Sequence, residues 1–217
     1  ITMGEGWALF TNDPLLNKII RSLRDWGRDC WCKTGHDDTC GKRFDWQLGE
    51  LPKGYDHKYI YSEMGYNLKL TDMQAALGLA QIEKLGGFIE KRKENFNILY
   101  SGLKKYEKYF ILPSWLENAD PSWFGFLLTV KTDAPFSRSQ IIQHLQTKKV
   151  GTRYLFAGNL TKQPYFINNK IKYRVVGGLK NTDMVMKNTF WIGCYPGLTK
   201  EMLEYMVASF DSFLARL

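Results

Sequence analysis

Three of the four cysteines lie close together and form the group of residues best suited to chemistry. Cys30, Cys32 and Cys40 are spaced C-x-C-x7-C, and His36 lies between the last two. Two cysteines separated by one residue do not easily bridge each other, and a thiolate is a good ligand for a soft metal. The spacing therefore predicts a metal site with Cys30, Cys32 and Cys40 as ligands.

The sequence offers two candidates for the fourth ligand of this site. Four thiolates are the usual complement for an iron–sulfur cluster or a structural zinc ion. His36 would complete a Cys3His zinc site, whereas a cysteine upstream of Ile1 would complete a site of four thiolates. Three reduced cysteines without any ligand are the remaining reading. Cys194, within a predicted strand, is expected to be an inert core thiol.

The cysteines lie in a long segment without hydrophobic periodicity, residues 25–66, in which Gly, Asp, Cys, His and Trp accumulate. A connection of this length within a compact domain usually carries function or a bound ion. Before it, residues 7–11 read as a short strand, and Asn12-Asp13-Pro14 is typical of a helix start. The irregular segment is thus expected to be positioned by α/β structure.

Regular elements resume after the loop. Residues 71–74 match a capping box and predict a helix from Thr71, which Gly86-Gly87 should break before a second helix over residues 88–106. Strands are predicted over residues 123–131, 150–156 and 189–195, and they alternate with helices capped by Ser137 and Thr199. This order predicts an α/β small domain from about residue 122 onward.

Composition bounds the class of protein. The 217 residues are 44% hydrophobic and 24% charged, which is ordinary globular composition. No apolar run reaches membrane-spanning length and no signal peptide is recognisable, so we expect a soluble, cytoplasmic protein without a membrane partner. The net charge of +8 is spread in short basic groups, which favours a solvated surface over a nucleic-acid partner.

Several segments together resemble the sugar-modifying branch of the fold-type I pyridoxal-phosphate enzymes. The matching segments cover nearly the whole chain: residues 2–6 (Thr-Met-Gly-Glu-Gly), 23–29, 65–76 and 92–100. The resemblance implies the C-terminal portion of a PLP-dependent transferase fold, type I aminotransferase-like, in the α/β class. It further implies that residues 1–70 end the large PLP-binding domain, with a cysteine-rich loop at 25–66. Residues 71–217 would supply linking helices and the small α/β domain.

Two motifs narrow the resemblance to the nucleotide-sugar 3-dehydrases of that family. They are the C-x-C-x7-C loop and residues 152–160. The resemblance implies a lyase-type C3 dehydration and deoxygenation of a CDP-4-keto-6-deoxyhexose, for lipopolysaccharide sugar synthesis. It implies pyridoxamine or pyridoxal phosphate and a 2Fe–2S cluster as cofactors, with zinc as the alternative metal. The implied partners are the nucleotide-sugar substrate, a flavin iron–sulfur reductase and a second copy in a homodimer.

The resemblance also assigns residues. Cys30, Cys32 and Cys40 would hold the cluster, and Asn67 and Phe124 would contact the cofactor, Asn67 at the phosphate held by the partner subunit. Arg153 and Asn159 are candidates for substrate binding, since Arg pairs with diphosphate in a forked geometry.

The sequence departs from the family's pattern at one position. Trp7 stands where the family usually continues with glycine. The family's cofactor lysine, histidine in the dehydrases, would fall immediately before Ile1, so no catalytic residue is expected within this chain, and the chain alone is expected to be an inactive C-terminal fragment. The rival enzyme is a PLP-dependent nucleotide-sugar aminotransferase. A rival of another class is a basic zinc-binding interaction module.

Overall fold

A computed structural model describes residues 1–30, 32 and 35–216 of the chain. The chain divides into two compact units, Ile1–Glu83 and Lys84–Leu217. Across the described residues, no helix combines the length and apolar character needed to cross a membrane. The sequence-based division at residues 70 and 71 stays a prediction.

The first helix, α1, spans Pro14–Arg24 and confirms the predicted helix start. The Asp13 carboxylate caps it by accepting hydrogen bonds from the backbone N–H groups of Leu15 and Leu16, at 2.8 and 3.1 Å. No side chain of α1 is buried. Asp13 thus satisfies the first free N–H groups of the helix.

The strand predicted for residues 7–11 is wrong. The backbone there is irregular, and the side chains of Trp7 and Phe10 are 100% and 90% exposed. A strand exists only where a neighbouring strand accepts its hydrogen bonds, and this segment pairs with none among the described residues. Apolar, β-prone residues therefore do not by themselves make a strand.

The second helix, α2, spans Asp72–Ile82 and begins with the predicted capping box between Thr71 and Gln74. The next helix, α3, spans Leu85–Leu103. The break falls at Glu83 and Lys84, so the prediction that Gly86-Gly87 would interrupt the helix is wrong by one turn. Both glycines lie in the first turn of α3, where they cost less than in a helix interior.

The segment between α1 and α2 is irregular, as the sequence predicts. Its described residues contain one 3-10 turn, His57–Tyr59, and two isolated bridges, Asp25 with Asn67 and Arg28 with Tyr61. Hydrogen bonds between its two ends replace regular pairing, and they position the cysteine loop.

The second unit is built on a four-stranded antiparallel sheet in the order β1-β2-β4-β3. Its strands are β1 (Phe110–Ile111), β2 (Gly125–Val130), β3 (Thr152–Tyr154) and β4 (Thr189–Gly193). Its helices besides α3 are α4 (Arg138–Thr147), α5 (Pro164–Asn168), α6 (Lys180–Asn188) and α7 (Lys200–Leu214), and two further 3-10 turns span Lys104–Tyr106 and Leu160–Lys162. The three strands and two capped helices predicted after residue 122 are confirmed, whereas β1, α5 and α6 were not predicted.

The core of the second unit lies where α3, α4 and α7 pack on the sheet. Strand β2 alternates partly exposed and buried side chains until its last residues, so Phe126 and Leu128 face the core. The other large, fully buried side chains are Phe96, Phe110, Phe190, Phe210, Leu99, Leu103, Ile141, Leu145, Ile192 and Leu203. This apolar layer gives the second unit a rigid frame.

Candidate metal and cofactor site

The cysteine loop brings its thiols together. The Sγ atoms of Cys32 and Cys40 are 3.9 Å apart. The donor atoms of Cys30, Cys32 and His57 all lie within 4.8 Å of one another. All three cysteines are free thiols and partly buried. The loop therefore gathers Cys30, Cys32 and His57 into one group of soft or borderline donors, with Cys40 beside Cys32, and such a group suits a transition metal or a cluster.

His57 is the donor that the sequence reading did not identify. Its Nε2 lies 3.7 Å from the Sγ of Cys40, and its Nδ1 lies 3.1 Å from the backbone oxygen of Lys42. The ring is 2% exposed and stacks on Trp46 at 4.7 Å between centroids. His36, the sequence-based candidate, is exposed and does not belong to the donor group found among the described residues.

The sequence did carry a weak signal for His57. Asp56 precedes it, and its carboxylate accepts from the backbone N–H of Lys58 at 3.1 Å, which starts the 3-10 turn His57–Tyr59. An Asp-initiated turn orients the residue that follows the Asp. The sequence did not link His57 to the thiols, because His57 follows Cys40 by 17 positions along the chain.

An ion pair between Arg43 and Asp56 joins two parts of the cysteine loop. Arg43 donates two hydrogen bonds to the Oδ2 of Asp56, at 3.0 and 2.7 Å. The backbone oxygen of Arg43 accepts from the N–H of His57 at 3.0 Å, and the backbone N–H of Arg43 donates to Asp38 at 3.1 Å. Hydrogen bonding by Arg43 holds the pKa of Asp56 below its usual range. The stretch that follows Cys40 is thus tied to the turn that carries His57.

The surroundings of the thiols differ in their electrostatics. A hydrogen bond with the Thr39 side chain is the largest of the effects that lower the pKa of Cys32 to about 6, and contacts with Cys40 and His57 act in the same direction. Burial raises the pKa of Cys30. Because the thiolate is the metal ligand, an environment that stabilises it at Cys32 suits metal binding.

The segments that carry the family resemblance also meet in the first unit. The N–H of Tyr66 donates to the Leu23 oxygen at 2.7 Å, and the N–H of Trp26 donates to the Tyr66 oxygen at 2.9 Å. A Cβ on Gly65 would lie 2.6 Å from the carbonyl carbon of Trp26 and 2.7 Å from the Leu23 oxygen, so this approach requires glycine. Residues 23–29 and 65–68 are therefore one structural assembly.

Residues 2–6 are held against α2. The Nε2 of Gln74 donates to the backbone oxygen of Glu5 at 3.2 Å, while its Oε1 accepts from the N–H of Thr71 at 3.1 Å. Gly78 is buried, and a Cβ there would come within 3.3 Å of the Met3 side chain. One glutamine thus joins the capping box to the Thr-Met-Gly-Glu-Gly segment.

Asn67 lies on the exposed side of this assembly. Its Oδ1 accepts from the ammonium of Lys69 at 3.3 Å. Lys69 also pairs with Asp25 at 2.7 Å and lies 3.5 Å from the centre of the Trp26 ring. An amide beside an ammonium group is a suitable arrangement for a phosphate.

Phe124 and Arg153 meet around Trp191 in the second unit. Phe124 is 64% exposed and packs on the Trp191 ring at 5.0 Å. Arg153 is the register partner of Trp191 in the adjacent strand. Arg153 and Trp191 line a groove of about 690 Å³ together with Lys149, Tyr195, Glu201 and Tyr205. The groove offers cationic and aromatic groups to a ligand.

The side chain of Asn159 is buried and makes hydrogen bonds to neighbouring residues of the second unit. It is 2% exposed, its Nδ2 donates to Asp183 at 2.7 Å, and its Oδ1 accepts from the N–H and the hydroxyl of Thr161 at 3.1 and 2.7 Å. These contacts start the 3-10 turn Leu160–Lys162. They favour a role in loop structure, and the substrate role of Asn159 stays a prediction.

The fold and these assembled segments define a class, the PLP-dependent, aminotransferase-like proteins. The solved structure of Escherichia coli GDP-4-keto-6-deoxy-D-mannose-3-dehydratase with bound hydrated PLP shares this fold, with a TM-score of 0.72 at 22% sequence identity. The match covers 92% of this chain and 48% of that structure. The chain belongs to the DegT/DnrJ/EryC1/StrS aminotransferase family, which it matches over residues 1–211.

Within this family the chain is similar to curated proteins of sugar metabolism. It is 58% identical over 213 residues to the lipopolysaccharide biosynthesis protein RfbH of Salmonella typhimurium, covering 98% of this chain and 48% of that protein. It is 48% identical over 216 residues to the dTDP-4-dehydro-2,6-dideoxy-D-glucose 3-dehydratase of Saccharopolyspora spinosa, covering 100% of this chain and 46% of that protein. The chain thus spans about half the length of the curated relatives it matches.

Proposed function

We propose that this chain is part of a nucleotide-sugar 3-dehydratase that acts on a CDP-4-keto-6-deoxyhexose in lipopolysaccharide sugar synthesis. The observation that carries the proposal is the convergence of the Cys30, Cys32 and Cys40 thiols in a chain of this family. The 48% identity to a nucleotide-sugar 3-dehydratase supports it. In this proposal the three thiols hold a 2Fe–2S cluster.

The donor set fits such a cluster. Iron–sulfur clusters are held by thiolates, and imidazole replaces thiolate in some of them. Donor atoms of Cys30, Cys32 and His57 lie within 4.8 Å of one another, Cys40 lies beside Cys32 and His57, and Cys32 lies where its thiolate is stabilised. The cluster, supplied with electrons by a flavin iron–sulfur reductase, would pass on, one at a time, the two electrons that are needed with two protons to replace the C3 hydroxyl by hydrogen and release water.

The cofactor would be pyridoxamine phosphate, which supplies the electron sink for loss of the C3 hydroxyl. Asn67, beside the Lys69 ammonium, would bind the phosphate of the cofactor in the second subunit of a homodimer. Phe124 would pack near the cofactor, and Arg153 would bind the substrate diphosphate from the groove along β3. The reaction would take place in the cytoplasm.

Anaerobic reconstitution tests the cluster directly. The chain is incubated with ferrous iron and sulfide, desalted and analysed for iron, acid-labile sulfide and visible absorption. We expect about two irons and about two sulfides per chain, with loss of both in Cys32→Ser. The matched control is Cys194→Ala, which removes the cysteine that lies outside the loop and should leave the cluster intact.

A nucleotide-sugar aminotransferase is the second candidate, because the family to which the chain belongs is itself described as an aminotransferase family. In that enzyme the cysteine loop would be vestigial or would hold only a structural metal. Reconstituted chain that retains no iron and no sulfide would favour this candidate. The zinc-binding interaction module does not account for a family match that covers residues 1–211.

A further inference from the structure

We propose that the groove along β3 binds the base of the nucleotide sugar, and that Glu201 selects cytosine over uracil and thymine by accepting a hydrogen bond from its exocyclic amino group. In this assignment the ring of Tyr195 stacks on the base. The inference rests on the proposed function, which places the diphosphate on Arg153, and it extends that function from the diphosphate to the identity of the base.

The groove has the size and the lining of a small-molecule site within the second unit. Its volume of about 690 Å³ lies within the range of ligand pockets. Three aromatic side chains line it, Trp191, Tyr195 and Tyr205, and the two tyrosines are 51% and 53% exposed. Bases stack on exposed aromatic rings whatever their sequence, because every base has a π face. The groove therefore suits a ligand that contains an aromatic base.

The ring of Tyr195 is held in place by its surroundings. A Cβ on Gly197 would lie 3.0 Å from Cε2 of this ring, and a Cβ on Gly193 would lie 3.4 Å from Cδ1, so the backbone at the two glycines lies close to both edges of the ring. Asn95, which is fully buried, donates to the backbone oxygen of Tyr195 at 2.8 Å. A ring that is fixed before binding loses little conformational freedom when a base stacks on it.

Helix α7 forms another side of the groove through Glu201, Met202 and Tyr205. The Tyr205 hydroxyl donates to the backbone oxygen of Lys148 at 3.1 Å, which fixes the second tyrosine ring. Met202 is 49% exposed and offers an apolar side chain. Glu201 supplies the carboxylate on this side of the groove, so a base bound there meets a negatively charged group.

Glu201 is a hydrogen-bond acceptor with a defined position. It lies in the first turn of α7, two residues after the capping Thr199. Hydrogen bonds with its own backbone N–H and with the Thr199 side chain hold the pKa of Glu201 below its usual range. An ionised carboxylate only accepts hydrogen bonds. Cytosine presents an amino donor where uracil and thymine present a carbonyl oxygen, so the carboxylate favours cytosine.

Two cations line the same groove, Lys149 before β3 and Arg153 within it. Arg153 is the register partner of Trp191, and its guanidinium donates to the backbone oxygen of Thr152 at 2.9 Å. Arginine pairs with phosphate groups in a forked geometry. The groove thus combines cations for the diphosphate with a carboxylate for the amino group of the base, which is the charge pattern that cytidine diphosphate (CDP) requires.

Methyl NMR of the chain tests the site with CDP, UDP, GDP and inorganic diphosphate as probes. The chain carries ¹³C-methyl methionine, and Met202→Leu assigns the Met202 signal. A base in the groove should shift this signal through its ring current, an effect that inorganic diphosphate lacks. We expect CDP to bind about tenfold more tightly than UDP, which corresponds to one specific base contact. GDP is included because guanine also presents an amino donor.

Substitutions separate selection of the base from stacking. Glu201→Gln should bring the ratio of the CDP and UDP affinities close to one, because an amide accepts from cytosine and donates to uracil. The matched control is Glu204→Gln, the same change at an exposed residue of α7 outside the groove lining, which should keep the ratio. Tyr195→Ala should weaken CDP and UDP alike by about tenfold, whereas Tyr195→Phe should retain both affinities.

Four outcomes would overturn the inference: equal affinities of the wild type for CDP and UDP, tighter binding of GDP than of CDP, a CDP preference that survives in Glu201→Gln, or a Met202 signal that no nucleotide shifts. The comparisons of nucleotides on the wild type need no variant, so a variant that fails to fold does not weaken the test.

Reconstitution of the cluster decides the proposed function separately. A chain that assembles the cluster but does not distinguish CDP from UDP would keep the proposed function and lose this inference. A chain that assembles no cluster but prefers CDP through Glu201 would keep the base site and lose the dehydratase assignment. The two failures are therefore distinguishable.

Discussion

Cys194 differs from the loop cysteines in the surroundings of its thiol. It follows strand β4, is fully buried, and its Sγ lies 3.5 Å from the backbone oxygen of Arg92. Burial raises its pKa from 9.0 to about 11. The expectation of an inert core thiol therefore has a physical basis in desolvation, since the reactive form of a cysteine is the thiolate.

Thiol labelling should separate the two kinds of cysteine. Treatment of the folded chain with iodoacetamide near neutral pH should modify Cys30, Cys32 and Cys40 and leave Cys194 unmodified, because reagent and solvent do not reach a buried neutral thiol. Peptide mass spectrometry reads the sites, and labelling in denaturant is the control that should modify all four. Modification of Cys194 at the rate of the loop thiols would contradict this expectation.

The Cys194 thiol should make the free energy of unfolding depend on pH in the alkaline range. The folded chain keeps the Cys194 proton at pH values where the unfolded chain has lost it. This contribution to the free energy of unfolding is present below pH 9.0 and lost as pH rises toward about 11. Urea unfolding should show a steeper decline in the wild type than in Cys194→Ala over this range. Burial and the hydrogen bond with Asp211 raise the pKa of Tyr106 to about 12. Tyr106 is present in both proteins, so its contribution to the free energy of unfolding cancels in the comparison. Parallel declines would show that Cys194 does not contribute.

At the scale of elements, the close approach of residues 65–68 to the end of α1 has a backbone requirement. Gly27 has a φ of 82°, and Gly65 lacks the Cβ that would overlap the backbone of Trp26 and Leu23. A side chain at either glycine would push the two segments of the assembly apart. The cysteine loop begins and ends within this assembly, so its geometry depends on it.

Gly65→Ala should destabilise the first unit by about 2 kcal/mol or more, because the clash is with backbone atoms that cannot rotate away. The matched control is Gly87→Ala in α3, where a Cβ meets nothing within 4 Å and should stabilise the helix by about 0.5 kcal/mol. Chemical denaturation followed by circular dichroism measures both effects. Equal stabilities for the two variants would contradict the close approach.

Phe126 in strand β2 is buried in the core, whereas Phe124, just before the strand, is exposed. Phe126→Ala should cost about 3–5 kcal/mol, because Phe126 is fully buried and its ring packs on Phe96 of α3. Phe124→Ala, two residues earlier and 64% exposed, should cost far less and should weaken cofactor binding if Phe124 has its proposed role. Thermal unfolding measures the first effect, and titration with pyridoxamine phosphate measures the second. A Phe124→Ala protein as unstable as Phe126→Ala would contradict this division.

At the scale of the whole molecule, apolar burial is distributed unevenly. Among the described residues of Ile1–Glu83, Ile60 is the only hydrophobic side chain counted as buried, whereas the second unit has a continuous apolar core. Because burial of apolar surface is the main driving force of folding, the second unit should be the more stable of the two.

Limited proteolysis should therefore remove the first unit and leave a resistant fragment that begins near Lys84. Mass spectrometry of the fragment gives its boundary, and residues 84–217 expressed alone should unfold cooperatively. The control is the chain loaded with zinc, in which the cysteine loop should become more resistant because a ligand stabilises the folded state to which it binds. Simultaneous digestion of both units would contradict the prediction.

The sequence alone was sufficient for features whose cause is local. Asp13, Thr71, Ser137 and Thr199 predicted four helix starts because a capping side chain and its backbone partner lie within three residues of each other. The family resemblance was equally accessible, because motifs such as residues 65–76 are contiguous. The cysteine trio could be proposed as a site because its members lie within eleven residues of chain.

Tertiary structure decided what depends on contacts between distant residues. Residues 7–11 have strand-like composition, but strand structure needs a hydrogen-bonded neighbour, and none lies there among the described residues. His57 joins the thiols because Arg43, Asp56 and Lys42 fold the loop back on itself, whereas His36, nearer in sequence, remains exposed. Spacing along a chain sets which residues can meet locally, but the hydrogen bonds of an irregular loop determine which ones do.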